Sequence, residues 1–187
     1  MKNKLTNRNI LFVSVIALLL IPKTRQQIQI VLHKGLSFIN QSTMIEKTNR
    51  RKITYQNWRL ISDTGDQLNL LDLKGKVVFI NFWATWCPPC IAEMKSLDQL
   101  YNEYNESVVF LYITNDDLIT VEKFKDRNSY SFKVFNPINE IPEELVTTSI
   151  PRTFIIDKNG EIIVDEKGAI NWYSETVKEQ LNKLLKE

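Results

Sequence analysis

The pentapeptide Trp86-Cys87-Pro88-Pro89-Cys90 constrains this chain more than any other stretch. Its cysteines are the only two in 187 residues, and the apolar run Val77-Val78-Phe79-Ile80-Asn81-Phe82-Trp83 leads into it. A run so rich in β-branched and aromatic residues reads as a buried strand. Two consecutive prolines cannot continue that strand, but they can open a helix, because proline in the first turn gives up only an N–H with no intrahelical partner. The spacing therefore predicts Cys87 at the N-cap, Pro88 and Pro89 at the first two helical positions, Cys90 at the third, and a helix running to about Tyr104.

This placement has chemical consequences. The helix dipole and free N–H groups at Cys87 favour a thiolate, making Cys87 the attacking thiol and Cys90, one turn deeper, the resolving one. Attack on a substrate disulfide gives a mixed disulfide that Cys90 then releases. Pro89 has no N–H to offer, so only the N–H of Cys90 remains to stabilise the thiolate. A less stabilised reduced form is a weaker oxidant, which implies a reducing or mildly poised pair. A purely structural bridge between near neighbours would close a tiny loop and stabilise little. A zinc half-site would need further ligands, and the only histidine, His33, lies in a separate N-terminal segment. Redox chemistry is the favoured reading, and no metal site is expected.

Two more features lie near the dithiol in type or spacing. Glu93, three residues beyond Cys90, lies near the same helix face. It is either an ordinary solvated carboxylate or a proton acceptor for Cys90 with a pKa raised by burial. Pro151 precedes the run Arg152-Thr153-Phe154-Ile155-Ile156-Asp157, which ends in the turn signal Asp157-Lys158-Asn159-Gly160. Either Pro151 simply opens a strand, or Ile150–Pro151 is a cis bond packed against the dithiol.

Together the stretches Gly75–Cys90, Glu93-Met94 and Ile150–Asp157 resemble the thioredoxin superfamily, most closely its TlpA/ResA-like branch of membrane-anchored thiol–disulfide oxidoreductases. The resemblance runs from about Trp58 to the C-terminus. It implies an α/β thioredoxin-like fold, with a central mixed sheet flanked by helices. It makes Cys87 and Cys90 the redox pair, with no cofactor beyond their disulfide. It makes Pro151 the cis-proline, with the Ile150 backbone pairing to an extended substrate segment. Trp83 and Trp86 would pack around the site, where Trp86, Pro88 and Pro89 would meet substrate. Glu93 matches a carboxylate that tunes the dithiol in this branch. Asn81 stands where cytosolic thioredoxins carry a buried aspartate, so proton transfer falls to Glu93 or to water. The implied partners are disulfide-containing exported proteins, such as an apocytochrome, and a membrane or envelope electron donor.

Two alternatives fit less well. A thioredoxin-like copper-binding assembly factor would use Cys-x-x-x-Cys and a histidine in the domain. A thiol peroxidase would carry a threonine three residues before its cysteine, whereas Thr85 lies two before Cys87.

The N-terminal third is a different kind of sequence. Residues 1–52 hold ten bases and one acid, Glu46, whereas the remainder holds 14 bases and 21 acids. A nucleic-acid arm would suit the charge but not the apolar run Ile10–Ile21, which follows Lys2, Lys4 and Arg8. A basic start and a short apolar core match a signal sequence. At about 1.5 Å per residue the run covers only ~18 Å of a hydrocarbon core about 30 Å thick. No small-x-small cleavage site follows it, which favours an uncleaved anchor over a cleaved signal. The expected organisation is an anchor over 1–22, a basic amphipathic segment and linker over 23–52, and the catalytic domain over 53–187. The domain would then lie on the extracytoplasmic side of a bacterial inner membrane. Ile28, Val31, Leu32, Leu36 and Ile39 form a helical stripe opposite Gln26, Gln29, His33 and Asn40. Such a helix either lies along a membrane surface or docks on the catalytic domain. Ser42 to Lys52 reads as a polar linker.

Strands are further expected over Trp58–Ile61, Gln67–Leu70, Val108–Ile113, Phe132–Phe135 and Glu161–Val164. Helices are expected over Val121–Arg127, Ile138–Val146 and Ser174–Leu185, the last with Val177, Leu181, Leu184 and Leu185 on one face.

Overall fold

A computed structural model describes residues 7–187; Lys2 and Lys4, on which the expected membrane orientation partly rests, lie outside that range. The elements are α1 (Asn7–Leu20), α2 (Pro22–Ser37), β1 (Arg59–Ser62), β2 (Gln67–Asn69), β3 (Val78–Phe82), α3 (Pro88–Tyr104), β4 (Val109–Ile113), α4 (Leu118–Asn128), β5 (Val134–Pro137), β6 (Arg152–Ile156), β7 (Ile162–Lys167) and α5 (Glu175–Lys186). The seven strands form one sheet in the order β2-β1-β5-β4-β3-β6-β7. β3 pairs in parallel with β4, and β4 with β5, while β6, β7, β1 and β2 join antiparallel.

Side-chain alternation along β3 distributes the core. Val77, Phe79 and Trp83 face an apolar layer supplied by α3, α4 and α5, including Leu97, Val121, Val177 and Leu181. Val78, Ile80 and Phe82 face the other side, which is closed by irregular segments carrying Ile53, Trp58, Leu70, Leu73 and Leu145. Asn81 shares the odd-numbered face. It is therefore a buried polar residue directed at the α3 side, where an apolar residue would otherwise stand.

Two expected elements are corrected. Ile138–Val146 is not a helix; only Glu143–Leu145 forms a single tight turn. Pro142 sits inside that stretch, removes a donor, and keeps Ile141 out of the helical region. Asn139 ties the segment to β1 instead, accepting from the Arg59 N–H and donating to the Asn57 carbonyl. The strand expected over Phe132–Phe135 begins two residues later, at Val134, where parallel pairing with Tyr112 starts. Phe132 stays fully buried just before the strand, its ring 4.5 Å from that of Tyr112.

The stretch read as a polar linker is pinned along the outer edge of β7. Ile45 N–H donates to the Ile163 carbonyl, Ile162 N–H to that of Arg51, and Ile53 N–H to that of Gly160. Thr43 donates through both N–H and hydroxyl to Glu166, and Ser42 exchanges hydrogen bonds with Gln180 of α5. An exposed strand edge is thereby covered. Gly160 (φ +82°) turns the chain from β6 to β7 where Tyr55 crosses so closely that a Cβ would stand 2.9 Å from its ring.

No single helix among the described residues is long and apolar enough to cross a membrane. α1 and α2 meet that measure only as a pair, and the pair is bent by 91°. α2 packs on α3, but not through its apolar stripe. Gln26, Gln29, Ile30 and His33 are half-buried and Ser37 is buried; of the stripe, Ile28 is half-buried, while Val31, Leu32 and Leu36 stand in the open.

Candidate functional site

β3 and α3 meet at the cysteines. Cys87 is the N-cap of α3, its φ and ψ extended at −91° and 105°, with both prolines in the first turn. Cys90 N–H donates to Cys87 Sγ at 3.3 Å, the one donor left once Pro89 occupies the intervening position. Cys87 and Cys90 are joined as a disulfide with Cα atoms 5.3 Å apart. Cys90 is fully buried, and Cys87 keeps 3% exposure, so any approach from solvent comes to Cys87.

Ile150–Pro151 is cis. The Ile150 carbonyl oxygen stands 3.9 Å from Cys87 Sγ. Buried Pro151 is held by its carbonyl, which accepts from Gly168 N–H at 3.0 Å. Trp86 lies 66% exposed beside the dithiol, while Trp83 is buried against the rings of Phe124 and Phe132. Pro88 and Pro89 are half-buried. A cleft of about 380 Å³ opens here, lined by Trp83, Trp86, Asp116, Ile141, Thr147 and Ile150. Asp116 accepts from Thr85 N–H at 2.7 Å and so fixes the turn leading into the cysteines. A larger cavity, about 830 Å³, is lined by Lys76, Tyr101, Lys133 and Lys158 and includes neither Trp86 nor Ile150, the two residues through which the smaller cleft adjoins the dithiol.

Beneath Cys90, Glu93 is 1% exposed. Its Oε1 accepts from Asn81 Nδ2 at 2.9 Å, and its Oε2 from Ile170 N–H at 3.1 Å and Trp172 Nε1–H at 2.9 Å. Asn81 also donates to Thr153 Oγ1 at 2.9 Å, its directly opposed partner in the β3–β6 register. No cation is among these partners. Burial pushes the carboxyl up from 4.5 to about 8, and the donors from Trp172, Ile170 and Asn81 pull it back only in part. Of the two readings left open for Glu93, the solvated one does not hold.

Trp172 and the Ile170 backbone are site residues that the sequence reading missed. They lie about 80 residues from Glu93 along the chain, in a loop without motif character. Trp172 also uses its backbone N–H, which donates to Ser96 Oγ, and Ser96 in turn donates to the Glu93 carbonyl. The only available signal was a tryptophan between Gly168 and the final helix.

Trp172→Phe keeps a large ring but removes one of two donors on Oε2. Hydrogen bonds to a charged acceptor are worth about 1.5–3 kcal/mol, so the Glu93 pKa should rise further, by about 1–2 units. Infrared titration of the buried carboxyl checks this, and an unchanged midpoint would remove Trp172 from the site.

The comparisons agree with this geometry. A family model described as Redoxin matches residues 50–182. The thiol-disulfide oxidoreductase ResA of Bacillus thuringiensis subsp. konkukian (strain 97-27) is 37% identical over 126 residues, 66% of this chain and 69% of that protein. The ResA of Halalkalibacterium halodurans is 35% identical over 126 residues, 65% of this chain and 69% of that one. Among solved structures, a Chlorobium tepidum protein assigned as the thiol:disulfide interchange protein DsbE superposes with a TM-score of 0.61 at 25% identity, covering 72% of this chain and 97% of that one. A secreted thiol-disulfide isomerase from Corynebacterium glutamicum shares the fold at a TM-score of 0.59 and 20% identity, over 79% of this chain and 93% of that one.

Proposed function

The chain belongs to the Redoxin family, with a thioredoxin-like α/β fold and the thiol–disulfide oxidoreductase activity of ResA-like proteins, and from that premise we propose that it reduces or exchanges disulfides of exported proteins while tethered to the outer face of the bacterial inner membrane. The observation that carries the reading is a dithiol capping α3 with a buried carboxyl one turn below it that has three donors but no cation beside it.

In the reducing direction, the Cys87 thiolate attacks one sulfur of the substrate disulfide. A Cys87–substrate bond forms, the substrate bond breaks, and the released thiolate takes up a proton. The Cys90 thiol then loses its proton and attacks Cys87 Sγ. The Cys87–Cys90 bond forms, the second substrate thiol leaves, and two electrons have passed to the substrate. Glu93, with a pKa about 8, exchanges a proton readily near neutral pH and is the acceptor proposed for Cys90. The Ile150 backbone beside the cis-proline offers an edge for an extended substrate segment. The cleft between Trp86 and Ile150 takes an apolar side chain next to the substrate cysteine. No cofactor beyond the Cys87–Cys90 disulfide is needed. An envelope electron donor must re-reduce the pair. An apocytochrome is the substrate that the ResA-like resemblance suggests.

Tethering is proposed through α1, whose Ile10, Leu11, Phe12, Val13 and Leu20 are exposed. The test has two parts. The full chain should reduce insulin disulfides, and copper titration should show no comparable stoichiometric binding. Alkaline phosphatase fused after Glu187 should be active, with the protein retained on membranes through a carbonate wash. Inactivity of the fusion would refute the orientation, release by the wash would point to cleavage, and copper binding without insulin reduction would favour the assembly-factor alternative.

A further inference from the structure

α2 is an amphipathic helix docked the unexpected way round. The face it turns to α3 carries Gln26, Gln29, Ile30, His33 and Ser37. The face it leaves uncovered carries Val31, Leu32 and Leu36, at 68%, 61% and 51% exposure, and continues into Phe38 and Ile39 at 65% and 75%. A surface helix normally buries its apolar stripe against the core and shows its polar side to water. Here the polar side is used up by the domain, and of the apolar side only Ile28 is half-buried, while Val31, Leu32 and Leu36 have no partner among the described residues.

Three observations identify what covers it. First, α2 follows directly on α1, whose Ile10, Leu11, Phe12, Val13 and Leu20 are exposed, and the two helices meet at 91°. If α1 stands along the membrane normal, α2 runs in the membrane plane. Second, α2 cannot enter the hydrocarbon core itself, because its Gln26, Gln29, His33 and Ser37 face is engaged with the protein. Third, at 100° per residue Arg25 falls just inside one edge of the stripe, between Leu32 and Leu36 and about two turns before Leu32, while Lys34 flanks the other edge, with Lys23 beyond it. Residues 1–45 contain no acid at all. Apolar residues rimmed by bases are what an interfacial helix presents to acyl chains and anionic headgroups.

We propose that α2 lies in the interface of an anionic phospholipid bilayer, with Val31, Leu32, Leu36 and Phe38 dipping below the headgroups, and so seats the catalytic domain on the membrane in one fixed orientation. The seat reaches the active centre directly. Asn171 N–H donates to the Ser37 carbonyl at 3.0 Å, and Asn40 Nδ2 to the Ala169 carbonyl at 3.2 Å. The same loop supplies Ile170 N–H and Trp172 Nε1–H to Glu93. α3, on which α2 rests, begins at the dithiol. The dithiol is thereby held at a set angle to the membrane rather than swinging on a flexible tether.

The inference rests on the membrane-tethered reading above, and the test separates the two. Full-length chain carrying Leu32→Trp is reconstituted into vesicles of phosphatidylglycerol and phosphatidylcholine, with the phosphatidylcholine either plain or brominated near the top of its acyl chains. Insulin reduction at the wild-type rate confirms folding, since Leu32 touches no part of the active site. Wild-type fluorescence is subtracted. Most of the fluorescence added by Leu32→Trp should be lost in brominated vesicles. That added by Leu71→Trp, at an exposed position on the other sheet face, should be kept. Vesicle flotation reads the tether independently. Flotation without quenching of Leu32→Trp overturns the interfacial helix and leaves the tether standing, as does equal quenching of both variants. Quenching lost together with the appearance of a cross-linkable dimer assigns the stripe to a second copy of the chain and also overturns it. Failure to float removes the tether and this inference with it.

Discussion

Cys87→Ser is expected to lower disulfide exchange by roughly 10³-fold or more while leaving the fold intact. Serine is among the preferred N-cap residues, so α3 keeps its first-turn acceptor and the Cys90 N–H keeps a partner. What disappears is a nucleophile ionised near neutral pH, because a hydroxyl in the same place has no comparable anion. Cys90→Ala makes the opposite change. Cys87 still attacks, but no thiol lies beneath it to release the product, so a mixed disulfide accumulates and can be isolated from cells. The asymmetry comes from geometry, since Cys90 is fully buried and only Cys87 retains contact with solvent. Insulin-reduction rates, a thermal melt and mass spectrometry of the trapped adduct check both variants. Adducts formed on Cys90 in the Cys87→Ser chain would reverse the assignment.

Glu93→Gln should remove a pH dependence from both stability and rate. In the folded chain the carboxyl titrates at about 8, against 4.5 ordinarily, because burial outweighs its three donors. Between those values the folded state holds a proton that the unfolded state has released. The stability contributed by the neutral acid is therefore complete below pH 4.5 and is lost as pH rises through about 8. The loss is on the order of a few kcal/mol across that window. Glutamine has no such titration. The variant should melt close to wild type near pH 5 and well above it near pH 9. The substitution can be accommodated, because Asn81 Oδ1 is buried without a partner and an amide flip would turn it toward the new NH₂ group. Catalytically, resolution by Cys90 should slow by on the order of 10²-fold near neutral pH while the first attack is little changed. Stopped-flow exchange across pH separates the two steps. Parallel melting curves at all pH values, or an unaltered rate profile, would mean that Glu93 neither carries the proton nor stores the strain of burial.

The redox centre was legible in sequence because its determinants are local. Two prolines in the first turn, a cysteine at the cap and a cysteine three residues on define a helix N-terminus regardless of context, and α3 starts and ends where the residues said. The apolar stripe of α5 was read for the same reason, and Ser174, taken as the first residue of that helix, is its N-cap. The errors were contextual. The Ile138–Val146 stretch has helical apolar spacing, but Pro142 and the Asn139 contacts with β1 decide its path. β5 starts at Val134 rather than Phe132 because register is set by β4 and β1, which lie far away in sequence.

The sequence by itself determined which atoms exchange electrons, since a nucleophile and its resolving thiol lie within one helical turn. It also marked the apolar, basic N-terminal third as a separate region. Only the tertiary structure decided what Glu93 is. Its pKa depends on removal from water and on donors from Asn81 of β3 and from Ile170 and Trp172 of the loop before α5, two segments that the fold brings to α3. Only the tertiary structure showed which face of α2 is spent on the domain. A helical stripe records that one side is apolar, but periodicity is the same whether that side turns inward or outward, and the choice belongs to whatever surface the helix meets.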